Sequence, residues 1–505
     1  MAKVRRKIGK WIYGVCDYLK WIFNVRNWWG KKIHQSWGVM ALAVGVIAGA
    51  VIGTVGRVRW FDSGIWILFA VVIFVIMYLK PRIWSMFLVG VTGMILGFFR
   101  VGLELKGADY IGELVGKTVV VSGVVSGDPV TDEKGTKVKL TGLKFGENGE
   151  YESAGSLYAT LRKNEEIRRS DVLVLSGKMS EGFGSYAGYM YQPAIVKRMV
   201  PEPGDAVLQV RDFFAGRVEQ EIPERQVKLG LSYLLGMKAG LDDELSEQLR
   251  VVGLTHIVVA SGAHLSILVE VARKIFGKMS RFAGLLFSVI FIVFFMAMVG
   301  WTPSIMRAGV MAILTLVGWY VGRKVKPFRM ILMVAAGTLM VNPMFLIDLG
   351  WMLSFASYAG IMLVGPGIQK FFYGEKKPGL IGGTVLTTVA ATVMTLPVVL
   401  YYYGQISLIS VAANLLILPT LSWAMGAVFL TGVAAGIPFV SVAVGWVATR
   451  LLDFHILVVG FFGEMRQFLV KMEVGQPQVF LIYLPIMVGL IWQKVVKLRE
   501  VNRLE

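Results

Sequence analysis

Residues 253–268 read GLTHIVVASGAHLSIL, an apolar run of membrane length interrupted by His256, Ser261, Gly262, His264 and Ser266. Polar groups are costly in a bilayer and usually face a bundle interior or a water-filled path. Gly262 in mid-run weakens a simple helix and can break it. The segment therefore reads as part of a pathway through a membrane bundle, not as a plain anchor.

The rest of the chain agrees with that setting. Of its 505 residues, 55% are hydrophobic and only 17% charged, where soluble domains carry about 45–50% and about 25%. The apolar residues cluster in long runs, so the expected fold class is a polytopic α-helical membrane protein. Cys16 is the single cysteine, which excludes an intrachain disulfide. With only His34, His256, His264 and His455 besides, a Cys-rich zinc centre is excluded, and no metal or other cofactor is expected. A net charge of +19 would suggest nucleic acid in a soluble protein. Here membrane topology explains much of it. Residues 1–32 hold nine Lys and Arg against Asp17 alone, the positive-inside signature of a cytoplasmic leader. Trp11, Trp21, Trp28 and Trp29 suit a segment lying on the inner surface, so residues 1–36 read as a basic amphipathic cytoplasmic segment.

A run of about 17 or more apolar residues spans a bilayer. Runs at 37–56, 64–79 and 83–99 place three helices within residues 37–103. Nine more follow within 253–495, at 253–272, 282–300, 303–321, 330–346, 350–366, 380–402, 406–431, 436–461 and 479–494, for about twelve spans in all. Basic clusters at Arg273–Arg281, Arg323–Arg329, Lys370–Lys377 and the 496–505 tail all fall on one side of this alternation. The pattern predicts a multi-pass protein of the cytoplasmic (inner) membrane, with both termini cytoplasmic and residues 104–252 extracytoplasmic.

Residues 104–200 are polar and turn-rich. Lys137–Thr141 and Leu157–Leu161 alternate with period two, further strands are expected near 117–125 and 172–179, and 127–129 and 146–149 are turns. Four or five short strands suggest a small extracytoplasmic β-barrel, with an oligonucleotide-binding (OB) barrel one candidate and a generic β-domain the other. Residues 201–252 carry Val207, Val210, Phe213 and Phe214 at helical spacing among charges. They read as amphipathic helices on the outer face, linking barrel to bundle.

The residues now carry a resemblance. Leu231–Ile267 reads L-x-x-L-L-G, a polar helix, then GLTHIVVASGAHLSI; Pro303-Ser304-x-x-Arg307-Ala308, Asp348-x-Gly350-x-x-Leu353-Ser354-Phe355 and Pro397 to Pro419 follow in order. This resembles the ComEC family of DNA-uptake channels over about residues 37–430. The resemblance implies an inner-membrane channel that translocates single-stranded DNA into the cytoplasm during natural transformation. It implies no enzymatic step of its own. It also implies an outer DNA receptor and a cytoplasmic ATPase or helicase as partners, beside membrane lipids, a separate nuclease and a homo-oligomer. Trp351-Met352 stands where the family has Phe-Gln, and the chain is expected to be a form without the C-terminal metallo-β-lactamase-like domain. A related transporter of another anionic polymer or lipid-linked molecule, and a non-transporting membrane scaffold, are the alternatives.

Helical rise sets depths. His256 is expected near the outer surface and His264 about 12 Å deeper. Ser304 and Arg307 begin an outward-starting span, Asp348 sits between two spans, and Asn414 lies near the depth of His264. With Ser261, Gly262 and Ser354 they make a candidate channel or DNA path in the outer half of the membrane. Arg307 and Asp348 are expected at similar depths and able to pair, either holding a phosphate backbone or acting only structurally. His256 and His264 either contact cargo, gate, or make interhelical hydrogen bonds. Ser261 and His264 share a face but lack a well-placed acid, which argues against catalysis. In the outer domain Lys137, Lys139, Tyr158 and Arg162 are candidate DNA contacts, although acidic residues nearly balance the basic ones there. Gly253, Pro303, Gly350, Pro397 and Pro419 are expected to be structural.

Overall fold

The computed structural model describes residues 35–501 apart from 59–62, 80–82, 133, 147–150, 154, 164, 166, 202–203, 238–239, most of 259–277, 323–325 and 375. Ser261, Gly262, His264 and the basic 1–34 segment lie outside the described residues. The chain divides into two compact units, residues 1–105 with 332–344, and residues 106–331 with 345–505. Eight described helices are long and apolar enough to cross a membrane, and the protein is a polytopic helical membrane protein carrying a small β-barrel.

The first unit contains helices α1 (Gln35–Gly56), α2 (Ile65–Leu79) and most of α3 (Ile83–Glu113). Expected runs at 37–56, 64–79 and 83–99 match these, although α2 has only 15 residues. Glycines set the α1–α3 packing. A Cβ on Gly45, Gly49, Gly93 or Gly97 would collide with backbone of the facing helix, so small residues let the two helices touch backbone to backbone. Arg100 pairs with Glu104 at 3.0 Å and donates to Met340 O at 3.0 Å and Val341 O at 2.7 Å. Those carbonyls end α9 (Pro327–Val341), where a cation offsets the exposed acceptors.

In the second unit eight strands run from β1 to β8: Thr118–Val125, Val130–Asp132, Gly135–Phe145, Tyr151–Ser153, Leu157–Leu161, Val172–Glu181, Gly188–Tyr191 and Ala194–Met199. The order β1-β3-β5-β7-β6 closes through the β1–β6 pairing, with β5–β7 the one parallel contact in that ring. This closed five-strand path is the arrangement of an OB barrel. Alternation explains it: Val138 and Leu140 point inward and are buried, while Lys137 and Lys139, alternating with them, face out half-buried. Leu157, Leu161, Leu173, Leu175, Met179 and Met190 complete the core, and Ile111 from the end of α3 joins it. Gly127 and Gly146 take positive φ at the two turns expected from sequence.

Three amphipathic helices follow: α4 (Ala206–Glu219), α5 (Glu224–Leu235) and α6 (Asp243–Val252). Asp205 caps α4, accepting from Val207 N and Leu208 N, and Asp242 caps α6. Their apolar faces form the largest core of the unit with α13 (Ser410–Ala434) and α14 (Val440–Gly463). Leu231, Leu234, Leu245 and Leu249 meet Leu421, Val428, Leu452 and Val459 there. Periodicity showed that they had an apolar face but not which partner buries it.

Helices α7 (Arg281–Val299), α8 (Pro303–Tyr320), α10 (Leu349–Leu363) and α12 (Leu380–Tyr403) complete a circuit with α13 and α4. Contacts run α7–α8–α10–α12–α13–α4 and back to α7. α11 (Gly365–Tyr373) and α15 (Gln476–Val501) pack on α12. The run expected to start a helix at 406 begins at Ser410, because β9 (Gln405–Ser407) pairs antiparallel with β10 (Leu469–Lys471). Pro397 and Pro419 lie inside α12 and α13.

Candidate functional site

The barrel presents an aromatic group on the outward side of β3, β5 and β7. Tyr158 of β5 lies 4.9 Å from Tyr186 and 5.3 Å from Phe183, ring to ring, and 6.2 Å from Tyr189 of β7. Phe183 and Tyr186 come from the loop between β6 and β7, and Phe183 is 51% exposed. Lys139 of β3 places Nζ 5.5 Å from the Tyr186 ring centre. Tyr189 OH and Thr160 Oγ1 are 3.2 Å apart. Lys137 is half-buried on the same strand, and Arg162 is exposed just beyond β5. Lys139 and Tyr158 were legible as candidates; Phe183, Tyr186 and Tyr189 were not singled out, though three aromatics among glycines in GFGSYAGY were a usable signal.

The charge of Asp348 reaches this group. Burial pushes the Lys139 ammonium down from its ordinary range, and Asp348 partly restores it. The Tyr186 phenol is pushed up to about 12, by burial first, then by Tyr158 and Asp348. Asp348 itself caps α10: its Oδ1 accepts from Trp351 N at 2.9 Å. A Cβ on Gly350 would sit 3.2 Å from that oxygen, closer than an ordinary contact, so a larger residue there would require the cap to give by a few tenths of an ångström.

Arg307 does not pair with Asp348. Its Nε donates to Ser354 Oγ at 2.6 Å, and its guanidinium carbon lies 5.9 Å from the Phe355 ring and 5.6 Å from the Tyr358 ring. Similar depth made the ion pair plausible, but the Asp348 carboxylate is committed to the helix end. Arg307 is 8% exposed and meets a hydroxyl, two rings and Met311 Sδ in place of a carboxylate. Pro303 stands at the first turn of α8, and Ser304 is half-buried beside it.

Within GLTHIVVASGAHLSIL, residues 253–258 and the buried Leu265 are among the described residues. Gly253 ends α6 with φ +76°, its N–H bonded to Arg250 O and Leu249 O. A Cβ there would lie 3.1 Å from Ser410 Cβ and 3.5 Å from Ser407 Cβ, so the glycine serves both the left-handed cap and the close approach to the start of α13. One helical turn follows, Thr255–Val258, in which His256 Nδ1 lies 3.1 Å from Gly253 O. Asn414, on the second turn of α13, is buried with Oδ1 lacking a partner among the described residues.

An unforeseen set of charges fastens barrel to helices. Arg169 donates to Ala297 O at 2.9 Å and Met298 O at 3.0 Å, and lies 3.8 Å from Asp205. Arg211 of α4 reaches both carboxylate oxygens of Asp128, at 2.8 and 2.7 Å. Burial raises and four contacts lower the Asp205 carboxyl, which ends below its usual range through Ser170, Leu208 N, Arg169 and Val207 N. No group of His, Cys, Asp and Glu able to hold a metal occurs among the described residues.

ComE operon protein 3 of Bacillus subtilis (strain 168) is 24% identical over 205 residues, 40% of this chain. The match spans about a quarter of that relative's length, 26%. No solved structure matches the chain. The family model described as Competence protein matches residues 233–496, more than half of the sequence and the whole stretch that holds Gly253, His256, Arg307, Asp348, Ser354 and Asn414, so the chain belongs to the competence protein family.

Proposed function

We propose that this protein is a cytoplasmic-membrane channel that passes single-stranded DNA inward during natural transformation. The observation that carries the reading is the aromatic and basic barrel face within electrostatic reach of the Asp348 helix end. Strands of the second and third positions of an OB barrel, with the loop before its last strand, form a surface suited to oligonucleotides. Aromatic rings accept successive bases by stacking, and a lysine beside them meets the backbone. A single strand exposes base faces that a duplex hides.

Farther along, Arg307 supplies a guanidinium with no carboxylate partner among the described residues, and fork-shaped donors suit phosphate. Ser354 lies beside it, and His256, Ser304 and Asn414, with Ser261, Gly262 and His264, complete the proposed path. The circuit of six helices is the frame through which the strand moves. The barrel faces outward and both termini are cytoplasmic. No G-x-x-x-x-G-K-[ST] loop occurs in the sequence. Driving force therefore comes from partners: an outer DNA receptor delivers the strand, and a cytoplasmic ATPase or helicase draws it in.

Full-length protein reconstituted into liposomes tests this. Labelled single-stranded DNA is expected to become nuclease-protected when a DNA-binding protein is enclosed to trap it, and duplex DNA is not. Equal entry of inorganic polyphosphate would favour a carrier of anionic polymers in general. Entry of neither, with the protein folded, would favour a scaffold.

A further inference from the structure

The barrel sits at one end of the helices α7, α8, α10 and α12. Arg169 fastens it to the last carbonyls of α7, Ala297 O and Met298 O. The Arg307–Ser354 bond sets the start of α8 level with the start of α10. α12 runs antiparallel to α10 and α11, since Gly360 packs on Ala390 and Met394, Gly365 faces Leu386, and Tyr373 meets Gly382. That register brings Asp348 level with Gly404, so α12 finishes at the barrel end and α13 starts there at Ser410. α14 returns to the same place. β9 pairs with β10 soon after it, and Leu408 N donates to Phe468 O.

The turn of the α13–α14 hairpin is tied to the barrel as well. Ser170 N donates to Val125 O and Val125 N to Asp171 O, which brings the loop of Asp128 beside Arg169. Asp128 holds Arg211 of α4. One helical turn past Arg211, about 5 Å at 1.5 Å per residue, Phe214 packs on Gly432 and stacks 6.0 Å from Phe429 of α13. Arg217, a turn further, reaches Gly436 in the hairpin's turn. Yet α13 has 25 residues, about 36 Å from end to end, against a hydrocarbon layer of about 30 Å. A helix with both ends tied to the barrel end of the unit runs along the membrane, not through it.

The charges agree. α5 and α6 cover the hairpin from its middle to its open end: Gly230 fits between Val428 and Leu452, Gln226 donates to Asp453 at 2.6 Å, and Gln248 covers Gly463. Their outer ion pairs, Arg225 with Asp242 and Lys228 with Glu224, belong in water and not in lipid. The exposed face of α14 mixes Trp446, Leu457 and Phe461 with Arg450, which stacks 5.6 Å from Trp446 and pairs with Asp453. Such a mixture suits a helix lying at headgroup depth. Strict alternation of spans would put the turn at 434–440, AAGIPFV, on the side of the basic clusters, but it holds no Lys or Arg.

We infer that the α13–α14 hairpin does not cross the membrane: it lies along the leaflet on the barrel side, and its turn stays on that side. Trp446, Leu457 and Phe461 enter the acyl boundary, Arg450 and Asp453 meet headgroups and water, and α4 to α6 are the aqueous cover. Length and apolarity alone make both helices candidate spans. Removing them as a pair leaves the sidedness of every other helix unchanged. The barrel is the reference for this placement, so it holds whatever the cargo.

Single cysteines on a Cys16→Ser background test it, in sealed right-side-out and inverted vesicles treated with a membrane-impermeant maleimide. Lys163→Cys on the barrel and Lys377→Cys between α11 and α12 are exposed and mark the two sides. Ile437→Cys, exposed in the turn, is expected to label in the same vesicles as Lys163→Cys and to lose its label in those where Lys377→Cys reacts. A second variant carries a biotin-acceptor peptide between Gly436 and Ile437, read with biotin ligase added to the same vesicles. It gives the side even if the cysteine lies too deep in the leaflet for the maleimide. Unchanged elution in detergent shows that each variant folds. Modification of either variant from the Lys163 side supports the placement, and modification from the Lys377 side would overturn it. No DNA enters the experiment, so its outcome is separate from that of the proposed function.

Discussion

Arg307 Nε donates to Ser354 Oγ across 2.6 Å, joining the second turn of α8 to the second turn of α10. A hydrogen bond to a charged group contributes about 1.5–3 kcal/mol, and losing one partner leaves the other buried and short of an acceptor. Ser354→Ala is expected to lower stability by about that amount, read from thermal or denaturant unfolding of the purified protein in detergent. Ser354→Thr keeps the hydroxyl and is expected to recover most of it. Equal stability of all three proteins would mean that the bond carries no load.

The barrel is tied to the helices by Arg169, which caps the C-terminal carbonyls of α7 and faces Asp205. Arg169→Met removes both, at a cost on the order of 2 kcal/mol. The expected sign is local: amide exchange quickens around 296–300 and 205–208, while the barrel core around Leu140 and Leu173 keeps its protection. Uniform loosening would indicate a global loss instead.

Tyr186 gives a pH signature. Its phenol is pushed up from 10.0 to about 12, so the folded protein holds a proton that the unfolded chain releases. Stability from this group is complete below pH 10 and is lost as pH rises through about 12. Tyr186→Phe is expected to remove the highest-titrating step from the phenolate absorbance curve and to flatten the alkaline fall in stability. An unchanged curve would mean that Tyr186 titrates as a solvated tyrosine.

Phe183 is the most exposed ring of the aromatic group and the least bound into the barrel core. Stacking contributes about 1–3 kcal/mol per base, so Phe183→Ala is expected to weaken single-stranded DNA binding by full-length protein about tenfold or more. Lys139→Gln is expected to reduce the salt dependence by somewhat under one unit of slope for single-stranded DNA. Titrations at several salt concentrations separate the two effects. No change in either would leave the barrel face without a role in binding.

Much of the barrel was legible because period-two alternation in Lys137–Thr141 and Leu157–Leu161 puts apolar residues on one face whatever surrounds them. The membrane helices of the first unit were legible for a similar reason: length and apolarity are local. Arg307 and Asp348 show where this stops. Their equal depth follows from helical rise, but a short carboxylate at a helix start is taken by the backbone N–H of Trp351. The same limit applies to α4 to α6, whose apolar faces are visible in sequence while the hairpin that covers them is some two hundred residues away in the chain. The Arg169 clamp joins carbonyls 128 and 129 residues along the chain, and nothing local marks it.

The central claim is inward passage of single-stranded DNA. Its most direct measurement follows labelled DNA into the nuclease-protected cytoplasmic compartment, separately from surface-bound DNA, in a competent host lacking this gene. Surface binding is expected to persist and entry to be lost, with wild-type protein restoring entry and a folded, membrane-inserted Arg307→Ala protein failing to do so. Normal entry in the deletion strain would contradict the account.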